Sequence, residues 1–240
     1  MNILITGATS GIGLELTKHL SKKHKIYALG RNEQKLTELE SNTHVTPIKA
    51  DVSNFSEVSE ALSKIKNLDV LINCAGILWP VGKLEENSMD EWKQNILTNL
   101  VGTANCCRAG LKKFRGGKGK VINFAGGGST YGRAFHTAYS SAKAGVVRFT
   151  ESLAQEYPNL DINVISPGRH KTNLWKSETH DKPTEFGDMN QLKRFVEFLI
   201  SDKSNGITGR FLHYKDAWQK IDSKNLPEDL YTLRRVEPKS

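Results

Sequence analysis

Tyr139 and Lys143 stand four residues apart in Thr137-Ala138-Tyr139-Ser140-Ser141-Ala142-Lys143, a spacing that puts both side chains on one face of a helix. A phenol with an ordinary pKa near 10 is a poor proton carrier at neutral pH. Bringing it to about 7 takes roughly 4 kcal/mol, at about 1.4 kcal/mol per unit. One ammonium at about 4 Å, in surroundings of effective dielectric near 20, supplies about that much before desolvation is subtracted. The pair therefore reads as an acid/base: Tyr139 moves a proton and Lys143 sets its acidity. Tyrosine and lysine also meet at this spacing by chance, so what surrounds them decides.

A second chemical element lies near the amino terminus. The apolar run Ile3-Leu4-Ile5 leads into Thr6-Gly7-Ala8-Thr9-Ser10-Gly11-Ile12-Gly13 and on into the amphipathic Leu14 to Leu20, a buried strand, a glycine turn and a helix. Glycine there permits a tight turn, close approach of backbone to a pyrophosphate and close packing of helix on strand. Free amides and the positive end of the helix dipole then face an anion. Gly7, Thr9, Ser10, Gly11, Ile12 and Gly13 are the expected cradle. The second strand ends in Leu29-Gly30-Arg31-Asn32, where dinucleotide folds carry an acid for the ribose hydroxyls or a base for a 2′-phosphate. Arg31, with no acid beside it, favours NADP, with NAD as the alternative; an exposed surface arginine is the plain reading of the same residue.

The elements that must position these groups are legible as alternation. Strand-like runs fall at Asn2 to Thr6, Lys25 to Leu29, Val45 to Ala50, Asp69 to Asn73, Lys120 to Phe124, Asp161 to Ser166 and Ile207 to His213, with helical patterns between them. This predicts a single α/β domain, a Rossmann-like doubly wound parallel sheet of about seven strands with helices on both faces. Residues 1–221 are the expected domain and 222–240 a carboxyl-terminal extension. Ser88 with Glu91 makes a capping box for a long helix whose apolar stripe runs Trp92, Ile96, Leu100, Ala104, Cys107, Leu111, Phe114.

Bulk properties narrow the partners. The formal net charge is +8, but lysines and arginines are scattered, which argues against nucleic acid and suits phosphorylated ligands or acidic carriers. The three cysteines have no C-x-x-C spacing, and Cys106 and Cys107 point to different helix faces, so no metal site is expected. No apolar run reaches membrane-spanning length. The first strand starts at about residue 2, leaving no room for a leader; the expected location is cytoplasmic, with no membrane partner.

In order along the chain, the glycine turn at Thr6 to Gly13, Asn73-Cys74-Ala75-Gly76, Tyr139-x-x-x-Lys143 and Pro167-Gly168-Arg169-His170-Lys171-Thr172 resemble the short-chain dehydrogenase/reductase family in its compact single-domain form, over residues 1 to about 212. The resemblance implies an oxidoreductase that moves hydride between a nicotinamide and a carbonyl or secondary alcohol. It implies that Tyr139 protonates the substrate oxygen, that Lys143 also bonds the nicotinamide ribose, and that Asn99 holds a proton-relay water. Asp51, followed by Val52, would contact the adenine ring, a helix cap being the alternative. Asn73 would tie strands together, and Ala75 and Gly76 would let the chain pass under the cofactor, with Cys74 replacing the family's second asparagine. Pro167 and Gly168 would floor the nicotinamide site, and Thr172 would bond its carboxamide.

Residues 173–190 occupy the place of the family's substrate lid, with Trp175, Lys176 and His180 as substrate contacts. The Ser88 helix and the Tyr139 helix form the dimer interface in relatives, which implies a homodimer or homotetramer. His213-Tyr214-Lys215-Asp216-Ala217-Trp218 stands where relatives carry a DGG turn. That tail resembles a bacterial subgroup with three glycines before YxxxK, associated with sugar or cell-surface biosynthesis, which points to a small substrate, phosphorylated or carrier-bound.

One departure bears on the chemistry. The family places a carbonyl-polarising serine thirteen residues before the tyrosine, and here that residue is Gly126, preceded by Ala125. Three outcomes follow: Ser129 or Thr130 swings in, the N–H groups of Gly126 to Gly128 take over, or the protein is a non-catalytic NADP-binding sensor or scaffold. One lost oxyanion donor costs about 3 to 4 kcal/mol, which slows an enzyme without silencing it. Ser129 or the backbone N–H groups are expected to compensate.

Overall fold

The computed structural model describes residues 1–41, 44–181 and 183–235. Seven parallel strands form one sheet in the order β3-β2-β1-β4-β5-β6-β7: β1 (Asn2–Thr6), β2 (Lys25–Gly30), β3 (Val45–Lys49), β4 (Val70–Asn73), β5 (Gly119–Phe124), β6 (Leu160–Ser166) and β7 (Phe211–His213). The winding reverses between β1 and β4, and in open sheets ligands bind outside the carboxyl ends at such a point. The helices are α1 (Gly11–Leu20), α2 (Glu33–Glu40), α3 (Phe55–Ser63), α4 (Met89–Ile96), α5 (Gly102–Leu111), α6 (Thr137–Glu156) and α7 (Met189–Ile200).

Strand side chains alternate between faces, so each strand feeds two cores. Ile3 and Ile5 join Leu16 and Leu20 of α1 and Phe195 of α7. Leu4, on the other face, joins Val58 and Leu62 of α3 and Cys106 and Cys107 of α5. Each fully buried aliphatic contributes about 1.5–3 kcal/mol relative to exposure. The helix starts follow their side chains: Asn54 accepts from the amides of Ser56 and Glu57, and Asp188 accepts from Asn190 N at 2.8 Å.

Two elements differ from expectation. The last strand spans only Phe211–His213, because Gly206 and Gly209 take φ of 83° and 68° and turn the chain before it. The helix opened by Ser88 is broken by a π turn over Leu97–Val101. Its wider winding changes which side faces inward: Asn95, Thr98, Asn99 and Thr103 are buried, while Trp92, Ile96 and Leu100 of the apolar stripe are only half-buried. α6 lies close against this turn, since a Cβ on Gly145 would stand 2.9 Å from Leu100 Cδ2.

The extension, as far as residue 235, lies along β7 and α6. Arg210 Nη1 donates to the carbonyls of Pro227, Glu228 and Leu230, Phe211 N donates to Tyr231 O at 2.6 Å, and Leu233 N donates to the buried Glu151 at 2.7 Å. Among the described residues no helix is long and apolar enough to cross a membrane, and no group of three or more His, Cys, Asp or Glu is placed to hold a metal ion.

Candidate active site

Two glycines at the passage from β1 to α1 have no room for a side chain. Gly7 has φ 68°, and a Cβ on it would stand 2.8 Å from Ala75 Cα; one on Gly13 would stand 2.3 Å from Gly7 O. Ser10, the N-cap of α1, makes no side-chain cap bond, and the first turn carries no acid. The first amides of this helix are therefore left for a ligand. They open on a cleft of about 610 Å³ at the carboxyl ends of the strands. Thr9, Ser10, Gly11 and Ile12 line it with the two glycines; Arg31, Asp51 and Val52 line one part; Ala75, Gly76, Asn99, Tyr139, Lys143, Pro167 and Thr172 line another. An uncapped helix start, a glycine cradle and a cleft of this size fit a nicotinamide dinucleotide.

Arg31 and Asp51, read separately from the sequence, are paired: Arg31 Nη1 donates to Asp51 Oδ2 at 3.2 Å. Asp51 Oδ1 accepts from Ser53 N and Ser53 Oγ. Burial pushes the Asp51 carboxyl up, but the Ser53 bonds and the Arg31 charge outweigh it, leaving the pKa lowered. The N-cap of α3 is Asn54, so the cap alternative for Asp51 does not hold. Asn73 does not line the cleft; its amide donates to Asn123 Oδ1 at 2.9 Å and to Cys107 Sγ, tying β4 to β5 and α5.

Tyr139 and Lys143 are both buried on α6, with Lys143 Nζ 5.8 Å from the centre of the Tyr139 ring. The ammonium donates to Phe124 O at 2.8 Å. Acidity runs opposite to the sequence expectation. Burial pushes the Tyr139 phenol up to about 12, with the Arg133 guanidinium as the opposing charge, and the same burial pushes Lys143 down to about 8. The phenol is thus a protonated donor throughout the neutral range.

Burial of Lys143 has a consequence for stability. Its ordinary value is 10.5 against about 8 in the fold, so between those values the unfolded chain binds more protons and stability rises with pH. Measured without nucleotide, the difference in unfolding free energy between the native protein and Lys143→Met is expected to climb by up to about 3 kcal/mol from pH 8 to 10.5. A flat difference would show that the ammonium keeps its charge in the fold.

Asn99 sits in the π turn. Its amide donates to Ile77 O and to Asn95 Oδ1 and accepts from Ile77 N. A Cβ on Gly76 would stand 2.6 Å from Asn99 Oδ1 and 3.5 Å from Lys143 Nζ, so Gly76 passes between the two. Asn95 donates to the carbonyls of Ile77, Leu78 and Trp79 and holds the same segment. Sequence reasoning missed it, although its spacing of four from Asn99 is a same-face signal.

Gly126 explains the absent serine sterically. A Cβ there would stand 2.3 Å from Tyr139 Oη and 2.9 Å from the ring, because the phenol lies against bare backbone. Ser129 does not line the cleft; its hydroxyl donates to Gly126 O at 2.7 Å and accepts from Gly126 N at 3.1 Å. Among the described residues, the N–H of Gly127 has no acceptor.

Beyond Tyr139 lies a second recess of about 400 Å³, which also takes in Gly126, Gly127, Gly168 and Trp175. Tyr214, from the segment that replaces the DGG turn, is buried beneath it: a Cβ on Gly168 would stand 2.4 Å from its ring and one on Gly187 2.1 Å from its hydroxyl. Of the expected lid contacts, Trp175 lines the recess, while Lys176 and His180 do not; His180 stacks on Phe135 at 4.0 Å. This segment is tied by charge as well. Glu178 accepts from Arg133 and His136, each at 2.8 Å, and Asp181 accepts from Arg133 at 2.9 Å and Arg169 at 3.0 Å. Burial pushes the Glu178 carboxyl up, yet the amides of Asp181 and His180 and the His136 ring outweigh it and hold its pKa down to about 2.

The family profile described as short chain dehydrogenase matches residues 1–183. This chain belongs to that family. The short-chain dehydrogenase/reductase aba4 of Botryotinia fuckeliana is 33% identical, over 90% of this chain and 96% of that protein. The 3-oxoacyl-[acyl-carrier-protein] reductase FabG of Haemophilus influenzae is 30% identical, over 88% and 94%. Among solved structures, an actinorhodin polyketide ketoreductase determined with NADPH is 25% identical, with a TM-score of 0.80, over 92% of this chain and 97% of that one. The family and its fold make this short-chain dehydrogenase an NAD(P)-dependent oxidoreductase in kind.

Proposed function

We propose that this protein transfers hydride between NADP and a small carbonyl or secondary alcohol, with Tyr139 as acid/base. The observation that supports this best is the convergence of Tyr139, Lys143 and Asn99 on the cleft that begins at the uncapped start of α1. Gly7, Thr9, Ser10, Gly11, Ile12 and Gly13 hold the pyrophosphate, Asp51 and Val52 flank the adenine, and Pro167, Gly168 and Thr172 frame the nicotinamide. Bound, the dinucleotide supplies or takes up the hydride. The protein supplies the proton: a buried, protonated Tyr139 donates to the substrate oxygen, and Lys143 stabilises the phenolate left behind. With Ser129 turned to Gly126, the Gly127 N–H is the second donor to that oxygen, and Ser129 positions the loop. The test is NADPH consumption over a panel of keto-sugars, acyl-thioester ketones and diketones, with Tyr139→Phe as control.

Arg31 gives the preference for NADP. A 2′-phosphate competes with Asp51 for the guanidinium and brings more negative charge. Arg31→Gln is expected to lower the ratio of NADPH to NADH affinity by about tenfold, the scale of one charge-assisted bond; an unchanged ratio in fluorescence titration would remove Arg31 from this role.

The substrate is a phosphorylated or carrier-bound intermediate of sugar or cell-surface metabolism in the cytoplasm, and the enzyme is a homodimer or homotetramer. Half-exposed Trp92, Ile96 and Leu100, with Leu97 at 41% exposure, support a self-association face. A sensor or scaffold that binds NADP without turnover is the second reading, favoured by the inward-turned Ser129 hydroxyl.

A further inference from the structure

We infer that the recess beside Tyr139 takes substrates bearing a carboxylate or phosphate, and that Arg133 is the residue that grips this group. The inference rests on the oxidoreductase reading and names its substrate class.

The recess shares Tyr139, Pro167 and Thr172 with the nucleotide cleft, so a molecule in it reaches the phenol. Three cationic side chains line it, Arg133, Arg169 and Lys215; Glu185, exposed, is the one carboxylate lining it among the described residues.

Arg133 is held as a presented donor. Its side chain is 11% exposed, and its Nη2 is pinned by Glu178 and Asp181. Glu178, at 1% exposure, is itself fixed by the amides of His180 and Asp181 and by the His136 ring. Nη1 makes no hydrogen bond among the described residues and lies 3.6 Å from where a Cβ on Gly127 would stand, against the loop that meets Tyr139. A guanidinium carries five donors in a planar fork that matches carboxylate and phosphate oxygens. Arg133 uses one nitrogen on its own scaffold and keeps the other beside the cavity.

Net charge does not do this. Glu178 and Asp181 balance the two arginines, so the attraction comes from directed N–H groups in a partly desolvated site. A lid latch alone would need no unused nitrogen at the recess, and Phe135 stacked on His180 already bridges the same two segments.

The test compares matched pairs in the NADPH assay: 2- and 3-keto acids against their methyl esters, and keto-sugar phosphates against the free sugars. One charge-assisted contact corresponds to about tenfold to hundredfold, so kcat/KM is expected to favour the anionic member by at least about tenfold. The keto-acid and phosphate arms tell which anion is meant. In Arg133→Gln the ratio is expected to collapse towards one, and Arg133→Lys is expected to restore part of it. Because Arg133→Gln takes from Glu178 one of its partners, Arg169→Gln at a half-exposed site is the second variant, expected to reduce the ratio less, with circular dichroism checking the fold. Equal turnover of both members in the native protein, or a ratio that survives in Arg133→Gln, overturns the inference and leaves the oxidoreductase reading standing. If no carbonyl turns over, calorimetric titration of the NADPH-loaded protein with acetoacetate separates the two: binding lost in Arg133→Gln keeps the anion site and sinks the reductase, and no binding sinks both.

Discussion

Tyr139→Phe is expected to lower carbonyl reduction by about 10²–10⁴-fold, the range that a positioned general acid contributes. The substitution removes one oxygen and little else: the ring is buried, and among the described residues the hydroxyl makes no hydrogen bond. Stability should change by less than about 1 kcal/mol, and NADPH affinity by a small factor. Loss of turnover with binding retained is what separates an acid/base from a packing residue. Full activity in the variant would end the assignment of Tyr139, and the sensor reading predicts no turnover in either protein.

Gly126→Ser carries the second large effect, with a sign opposite to analogy. Restoring the hydroxyl that relatives carry should impair this enzyme, because the new Cβ would meet Tyr139 Oη at 2.3 Å and the ring at 2.9 Å. The ring is enclosed on a buried helix and has to move by most of an ångström. Overpacking of this kind costs about 1–3 kcal/mol. If the displaced phenol loses comparable energy in the transition state, turnover falls by roughly tenfold to hundredfold. Activity measured with melting temperature decides: a more active variant would show that Gly126 is a lost donor rather than a seat for the phenol.

The parts of this site that could be read from the sequence are those encoded at short range. The glycine turn, the capping residue Ser88 and the Tyr139–Lys143 pair depend on spacings within a turn or two of helix, and each is found where the pattern put it. Asn99 was legible as a position, but the π turn around it was not, since an extra residue in a helical turn has no signature in an apolar stripe. The partnership of Arg133 with Glu178 spans 45 residues, and that of Arg31 with Asp51 spans 20; such pairings follow from topology alone. The acidity of Tyr139 without nucleotide is of the same kind: its spacing from Lys143 is written in the sequence, whereas the depth of burial that raises the phenol belongs to the whole fold.

The path of the chain end across β7 settles one further matter. Along the outer side of that strand, the Phe211 amide is engaged by Tyr231 and the His213 amide by Asp216, so neither of these donors is left to recruit a foreign strand. At the opposite margin, Pro47 in β3 withholds a donor of its own. A foreign strand laid along either border would therefore meet occupied donors at β7 and a missing one at β3.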